Sequence, residues 1–190
     1  MSTSEFVKND TYHHGNLRQA LIDGALELLA EDSSFSLRAL AKHVGVSPTA
    51  VYRHFSDKTA LINAISARGY RLLLEEFRAL PVHDNPVEQA LGYGVCYVHF
   101  AQNNPQLFEL MGHHDCTASE ENAAIAREFF EYLASHNQRL TPDMDPEVLT
   151  RTLWSLVHGI TVLGRGGVFG DMGSQGYHDH LRQSLQLLFR

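Results

Sequence analysis

The residues best suited to chemistry on a charged polymer lie between Leu37 and Phe55, in the stretch LRALAKHVGVSPTAVYRHF. Ala41, then Gly45 four residues on, then Val51 six further on, mark two short helices joined by a tight corner. A small residue lets the helices cross closely, glycine makes the corner, and Val51 with Phe55 one turn later locks the second helix inward. This spacing is that of a helix-turn-helix. Its outward face is then Ser47, Thr49, Ala50, Tyr52 and Arg53. The hydroxyls of Ser47 and Thr49 can donate to phosphates or base edges, Ala50 can touch a thymine methyl, and Tyr52 carries a hydroxyl on a rigid ring. Arg38, in the first turn of the preceding helix, suits a guanine edge or a phosphate. Lys58 falls at the start of the next helix, where free amides also favour a phosphate.

Other chemistry has less support. Neither a Gly-x-Ser-x-Gly elbow nor a His-Glu-x2-His pair occurs, so no nucleophile or hydrolytic metal site is visible and an enzyme is not expected. GRGGVFGDMGSQG follows a helical stretch and lacks the Gly-Lys-Ser/Thr of a phosphate loop, which reads as a flexible connection. His113, His114, Asp115 and Cys116 are adjacent, but neighbouring side chains diverge and rarely close one tetrahedral site. No metal and no cofactor are expected. Cys96 and Cys116 lack an adjacent basic cluster to lower their pKa and read as small buried hydrophobes.

These residues need helices to position them. The chain has 190 residues, 44% hydrophobic and 19% charged, enough for one or two cores and too apolar for a disordered chain. Its periodicity is helical throughout. Helices are expected from about 15 to 30, 37 to 44, 48 onward and 57 to 80, then near 87–103, 105–112, 119–139, 146–164 and 177–189. Ser36 and Ser47 are placed to cap, Pro48 suits a first helical position, and Ser56 with Asp57 open the fourth helix. Gly24 weakens the first helix slightly. The class is all-α: an N-terminal three-helix helix-turn-helix domain over 11–58, then a helical-bundle domain over 59–190.

Net charge is −7, spread unevenly: residues 1–60 carry −1, residues 61–190 carry −6, and Ser36–Lys58 carries +3. A modest positive footprint therefore sits on the candidate DNA face. The uncharged stretch from Gln89 to Phe108 is interrupted by Gln102, Asn103, Asn104 and Pro105, so no membrane span is expected. The polar start of the sequence gives no secretory signal, which places the chain in the cytoplasm.

In the second part, Tyr93, Tyr97, Phe100, Phe108, Met111, Phe129 and Phe130 form an aromatic-rich set able to line an apolar pocket or simply to fill a core. Arg127, Arg151 and Arg165 leave a carboxylate ligand open. Leu149, Leu153, Leu156, Val157 and Ile160, with Leu181, Leu185 and Leu188, offer more apolar surface than one chain need hide, which predicts a homodimer on a roughly palindromic site.

The stretch from Tyr12 to about Ile65, including YHHGNLRQALIDGALELLAED and VYRHFSDKTAL, resembles the DNA-binding domain of the TetR family of bacterial transcriptional regulators. The resemblance implies DNA contacts from Arg38, Thr49, Ala50, Tyr52, His54 and Lys58, with His54 and Lys58 on phosphate, and places His13 and His14 near the backbone. LWSLVHGITVL resembles a Trp-His-Gly motif of one subgroup, implying that Trp154 and His158 contact ligand or pack, and that Gly159 admits a neighbouring helix of the same chain or of a dimer mate. Family resemblance further implies a ligand-responsive regulator, a repressor, that leaves double-stranded operator DNA when a small-molecule effector moves the fourth helix. The alternative is a helical binding protein or enzyme whose helix-turn-helix does not bind DNA.

Overall fold

A computed structural model of the chain describes residues 17–31, 34–112 and 119–189. Among them the secondary structure is helical: α1 Leu17–Glu31, α2 Leu37–Val44, α3 Pro48–Tyr52, α4 Lys58–Ala79, α5 Pro86–Asn103, α6 Pro105–Gly112, α7 Glu120–Asn137, α8 Pro146–Arg165 and α9 Gln175–Gln186, closed by a 3₁₀ turn Leu187–Phe189. The chain divides into two compact units, the first ending at Ile62 and the second starting at Asn63. The expected His13, His14 and HHDC positions lie outside the described residues, as does Cys116.

In the first unit, Leu21, Ile22, Ala25, Leu40, Ala41, Val51 and Phe55 form a core that is at most 2% exposed. Gly24 belongs to this core for a reason other than helix propensity: a Cβ there would lie 2.6 Å from Val44 Cγ2, so the glycine lets α2 lie close on α1. The cost of glycine inside a helix is offset by that close approach. Leu17 and Leu28 are half-buried, and Ile22 and Leu29 take the inward positions beside Leu21 and Ala25.

The second unit packs α5 against α9 and α7 against α8. Its centre is aromatic. The Phe129 ring lies 5.5 Å from Tyr70, 5.6 Å from Phe77 and 5.1 Å from Trp154, mostly edge to face. Four of the later helices have a side-chain cap: Asn85 for α5, Ser119 for α7, Asp145 for α8 and Ser174 for α9. The Ser174 cap starts α9 at Gln175, two residues before the start expected from the apolar period.

The glycine-rich stretch is anchored at its two ends, by Gly164 in the last turn of α8 and by Met172 before α9. Gly164 leaves room for the Tyr177 ring, whose edge would lie 2.5 Å from any Cβ there, and the Tyr177 hydroxyl donates to Ile160 O at 2.9 Å. Met172 is buried, and Asp171 accepts from Gly173 N–H. Gly167 and Gly170 take positive φ. Tyr177 thus seats the start of α9 on the last turn of α8, while residues 165–171 between the two helices stand in solvent, as a connection would.

A correction concerns the apolar residues assigned to a partner. Leu149, Leu153, Val157, Ile160, Leu181 and Leu185 are buried within the chain itself. The apolar groups left exposed on these helices and the final turn are Val148, Val162, Leu163, Leu187 and Leu188, and Leu156 is half-buried. Helical period shows that a face is apolar, and does not tell whether the same chain or another covers it.

Candidate DNA-reading face and effector cavity

In the first unit, local chemistry fixes each helix end. Ser36 Oγ accepts from Ala39 N–H at 3.1 Å and starts α2. Gly45, at φ 77°, ends it: Gly45 N–H donates to Lys42 O at 3.3 Å and Val46 N–H to Ala41 O at 2.9 Å, the two bonds of a Schellman motif. Ser47 Oγ then accepts from Ala50 N–H at 3.2 Å, and Pro48 occupies the first turn of α3. The Ser47 oxygen is therefore engaged as a cap, leaving its O–H to donate.

The result is a sharp division of α3. Val51 is 0% exposed and Phe55 2%, while Thr49, Tyr52, Arg53 and His54 stand in solvent, and Tyr52 is 51% exposed. Ala50 is half-buried and Ser47 exposed. Arg38 is exposed on α2 and shares a shallow groove with Tyr52 and Lys58. Lys58 Nζ lies 5.1 Å from the Phe35 ring centroid, which steadies the ammonium at the start of α4. The cap of α4 is Asp57, whose carboxylate accepts from Ala60 N–H at 2.8 Å; Ser56 Oγ donates to that carboxylate at 3.1 Å and does not cap the helix itself. The bond from Ala60, then that from Ser56, holds Asp57 below the usual carboxylate range. All the expected DNA residues thus lie in the first unit, on α2, α3 and the turns and helix start that follow.

In the second unit, a cavity of about 40 Å³ lies among α4, α5, α7, α8 and α9, walled by Phe77, Tyr93, Tyr97, Leu133, Leu153 and Trp154, with Asn137 and Thr150 as its polar members. This is room for a few waters, well short of a ligand site of about 300–1,000 Å³. Asn137 Nδ2 donates to Thr150 Oγ1 at 3.1 Å, and both residues are buried. Tyr97 Oη lies 2.7 Å from His158 Nδ1. Burial pushes the Tyr97 hydroxyl well above, and the His158 imidazole below, their ordinary values. The two groups are thus paired with both in their neutral forms.

Tyr93, Tyr97 and Trp154 come together on the cavity wall as the sequence suggested, whereas Phe100, Phe108, Met111 and His158 are not wall residues. Phe100 is 1% exposed in the core. Phe108 stacks on His158 at 5.8 Å and 29°, one layer behind Tyr97. Met111 sits against Gly69 of α4, where a Cβ would meet its sulfur. Trp154 and His158 share a helix face with rings 14° apart, and among the described residues nothing lies within 4 Å of a Cβ on Gly159.

Asn137, Thr150 and Gly94 escaped the sequence reading. A usable signal existed for Asn137: it follows Phe129 and Leu133 at steps of four, on the apolar stripe of α7. Arg127 and Arg151 pair with Glu120 and Glu147 on the surface, and Arg165 lies over Phe108 while donating to Pro105 O. None of the three reaches the cavity. Cys96 is buried beside Glu76, and burial followed by that carboxylate pushes its thiol up to about 12, leaving it unreactive.

The family description "Bacterial regulatory proteins, tetR family" matches residues 21–65, and "Tetracyclin repressor-like, C-terminal domain" matches residues 90–187, together taking in α3 and most of the cavity wall. The chain belongs to the TetR family of bacterial transcriptional regulators. Among its relatives is the HTH-type transcriptional regulator UidR of Escherichia coli K12, 27% identical over 160 residues that span 75% of this chain and 79% of UidR. A Rhodococcus sp. RHA1 protein of unknown function shares the fold with a TM-score of 0.77 at 24% identity, covering 95% of this chain and 99% of its own. The TetR family transcriptional regulator PfmR from Thermus thermophilus does so at 0.63 and 20% identity, covering 90% and 97%. TetR regulators bind DNA as dimers and respond to small-molecule effectors, and the family is one of regulators that are generally not enzymes. Among the described residues no helix is long and apolar enough to cross a membrane.

Proposed function

We propose that this TetR regulator is a cytoplasmic repressor that binds a palindromic operator as a homodimer and is released by a small effector held in the second unit. Residues 11–58 act as the reading domain and 59–190 as the effector and dimer domain. Arg38, Ser47, Thr49, Ala50, Tyr52, His54 and Lys58 make the DNA contacts, with His54 and Lys58 on phosphate. The observation that carries this reading is the division of α3, with Val51 and Phe55 closed into the core and Thr49, Tyr52, Arg53 and His54 left in solvent. A helix kept only for packing would not present that row of donors beside Arg38.

Selection of bound duplexes from a random pool tests this directly. The expected result is two related half-sites in inverted order, their centres about one helical turn or a multiple apart. Enrichment of no sequence over the starting pool would sink the proposal and favour a helical binding protein indifferent to DNA.

A further inference from the structure

The chemistry of the cavity also restricts what can occupy it. Building on the regulatory reading above, we propose that the effector is an uncharged, ring-bearing molecule with one polar group, held between aromatic side chains and bonded to the Asn137 side-chain amide.

Charge decides the class. Among the described residues, no Asp, Glu, Lys or Arg lines the cavity, and the nearby arginines are committed elsewhere on the surface. Tyr93 and Tyr97 on the wall are neutral phenols, and burial disfavours the charged form of His158 behind it; the His136 ring lies 5.8 Å from the Tyr93 ring and does not line the cavity. An ion entering this lining would lose its hydration and meet no counter-charge, whereas a neutral ring loses little. Tyrosine hydroxyls do not supply free polar contacts: Tyr97 is bonded to His158 and Tyr93 lies 3.4 Å from Tyr132 Oη, so both offer ring surface to the cavity. Rings already arranged edge to face, Trp154 against Tyr97 at 4.7 Å, suit an aromatic guest. The polar contact left is the Asn137 amide, whose hydrogen now goes to Thr150 Oγ1 within the same wall. A ligand oxygen can take that position without leaving a buried donor unpaired.

Trp154 is the only tryptophan of the chain and forms part of the wall, so its emission reports occupancy in the full-length protein. Titration with phenol, benzoate, benzylammonium and toluene compares one ring carrying in turn a neutral polar, an anionic, a cationic and an apolar group. Phenol is expected to quench saturably and to bind at least about tenfold more tightly than either ion. Asn137→Leu should weaken phenol about tenfold and leave toluene unchanged. Gly94→Ala is the independent variant: its methyl would sit 3.5 Å from Leu181 and Leu185 and 3.6 Å from Val157, contacts a folded chain accepts, and it should weaken phenol and toluene together by taking cavity space. Benzoate or benzylammonium matching phenol, no saturable response to phenol, or equal loss of phenol and toluene in Asn137→Leu would each overturn the proposal. DNA binding measured on the same preparation separates the two readings: binding to DNA without phenol discrimination removes only the ligand class, and the converse removes only the regulator.

Discussion

In the first unit the polar side chains of interest stand in solvent on and beside α2 and α3, short helices started by Ser36 and Ser47 from the adjoining sequence. In the second unit the polar and aromatic groups of interest face one another around a space too small for a ligand. The contrast teaches where each function has its cost. A reading face built on Val51 and Phe55 at 0% and 2% exposure needs little rearrangement to meet a groove, so binding there keeps most of its contact energy. An effector held as proposed must open a cavity of about 40 Å³, so its affinity would be reduced by the work of separating Trp154 and Tyr97 from their neighbours.

The largest way to break the comparison is to remove the support of the reading face. Leu40→Ala, at a fully buried position, should cost about 2–5 kcal/mol and lower the thermal midpoint, with DNA binding lost through unfolding. Next come two glycines, one in each unit. Gly164→Ala drives a methyl against the Tyr177 ring, which is fixed by its bond to Ile160, and should destabilise by about 1–3 kcal/mol in a denaturant melt. Gly24→Ala meets the Val44 methyl at 2.6 Å and His43 at 3.3 Å, both side chains on the shorter helix α2, and gains helix propensity, so its midpoint should fall less. If the order of the two is reversed, the close seat assigned to Tyr177 on Gly164 of α8 is wrong.

Smaller changes probe function without unfolding. Thr49→Ala or Arg38→Ala should relax base preference at one operator position by about 1–3 kcal/mol, read by competition with single-base variants. Lys58→Ala should weaken all sequences alike and reduce the salt slope by about 1. The smallest effect is on stability against pH. Burial lowers the folded pKa of His158, so the unfolded chain binds the proton more readily, and stability is full above the ordinary histidine value near 6.5 and declines as pH falls below it. His158→Gln should flatten that decline relative to the parent in thermal melts between pH 5 and 8, and an unchanged slope would contradict the neutral Tyr97–His158 pair.

How much of this could be read in advance follows the same division. Ser36, Gly45, Ser47 and Pro48 act within a few residues of themselves, so their types and spacing specify the corner and leave Thr49 and Tyr52 outward without knowledge of the rest. The cavity depends on convergence: Asn137 and Thr150 meet from different helices, and only the packing of α7 on α8 brings the amide to the hydroxyl. The same limit explains the leucines of α8 and α9, whose period is right but whose cover is the chain itself. Gly164 was legible as a glycine and not as a seat for Tyr177, because which ring fills that seat is a tertiary fact.

The most direct test is fluorescence anisotropy of the full-length protein on labelled DNA from upstream of its own gene, across a salt series, with Tyr52→Ala as the paired variant. Saturable binding that weakens linearly in log salt and is lost in Tyr52→Ala is the predicted result. Equal binding by both proteins, or none at low salt on this and neighbouring promoters, would contradict the assignment of the α3 face as the part that reads DNA.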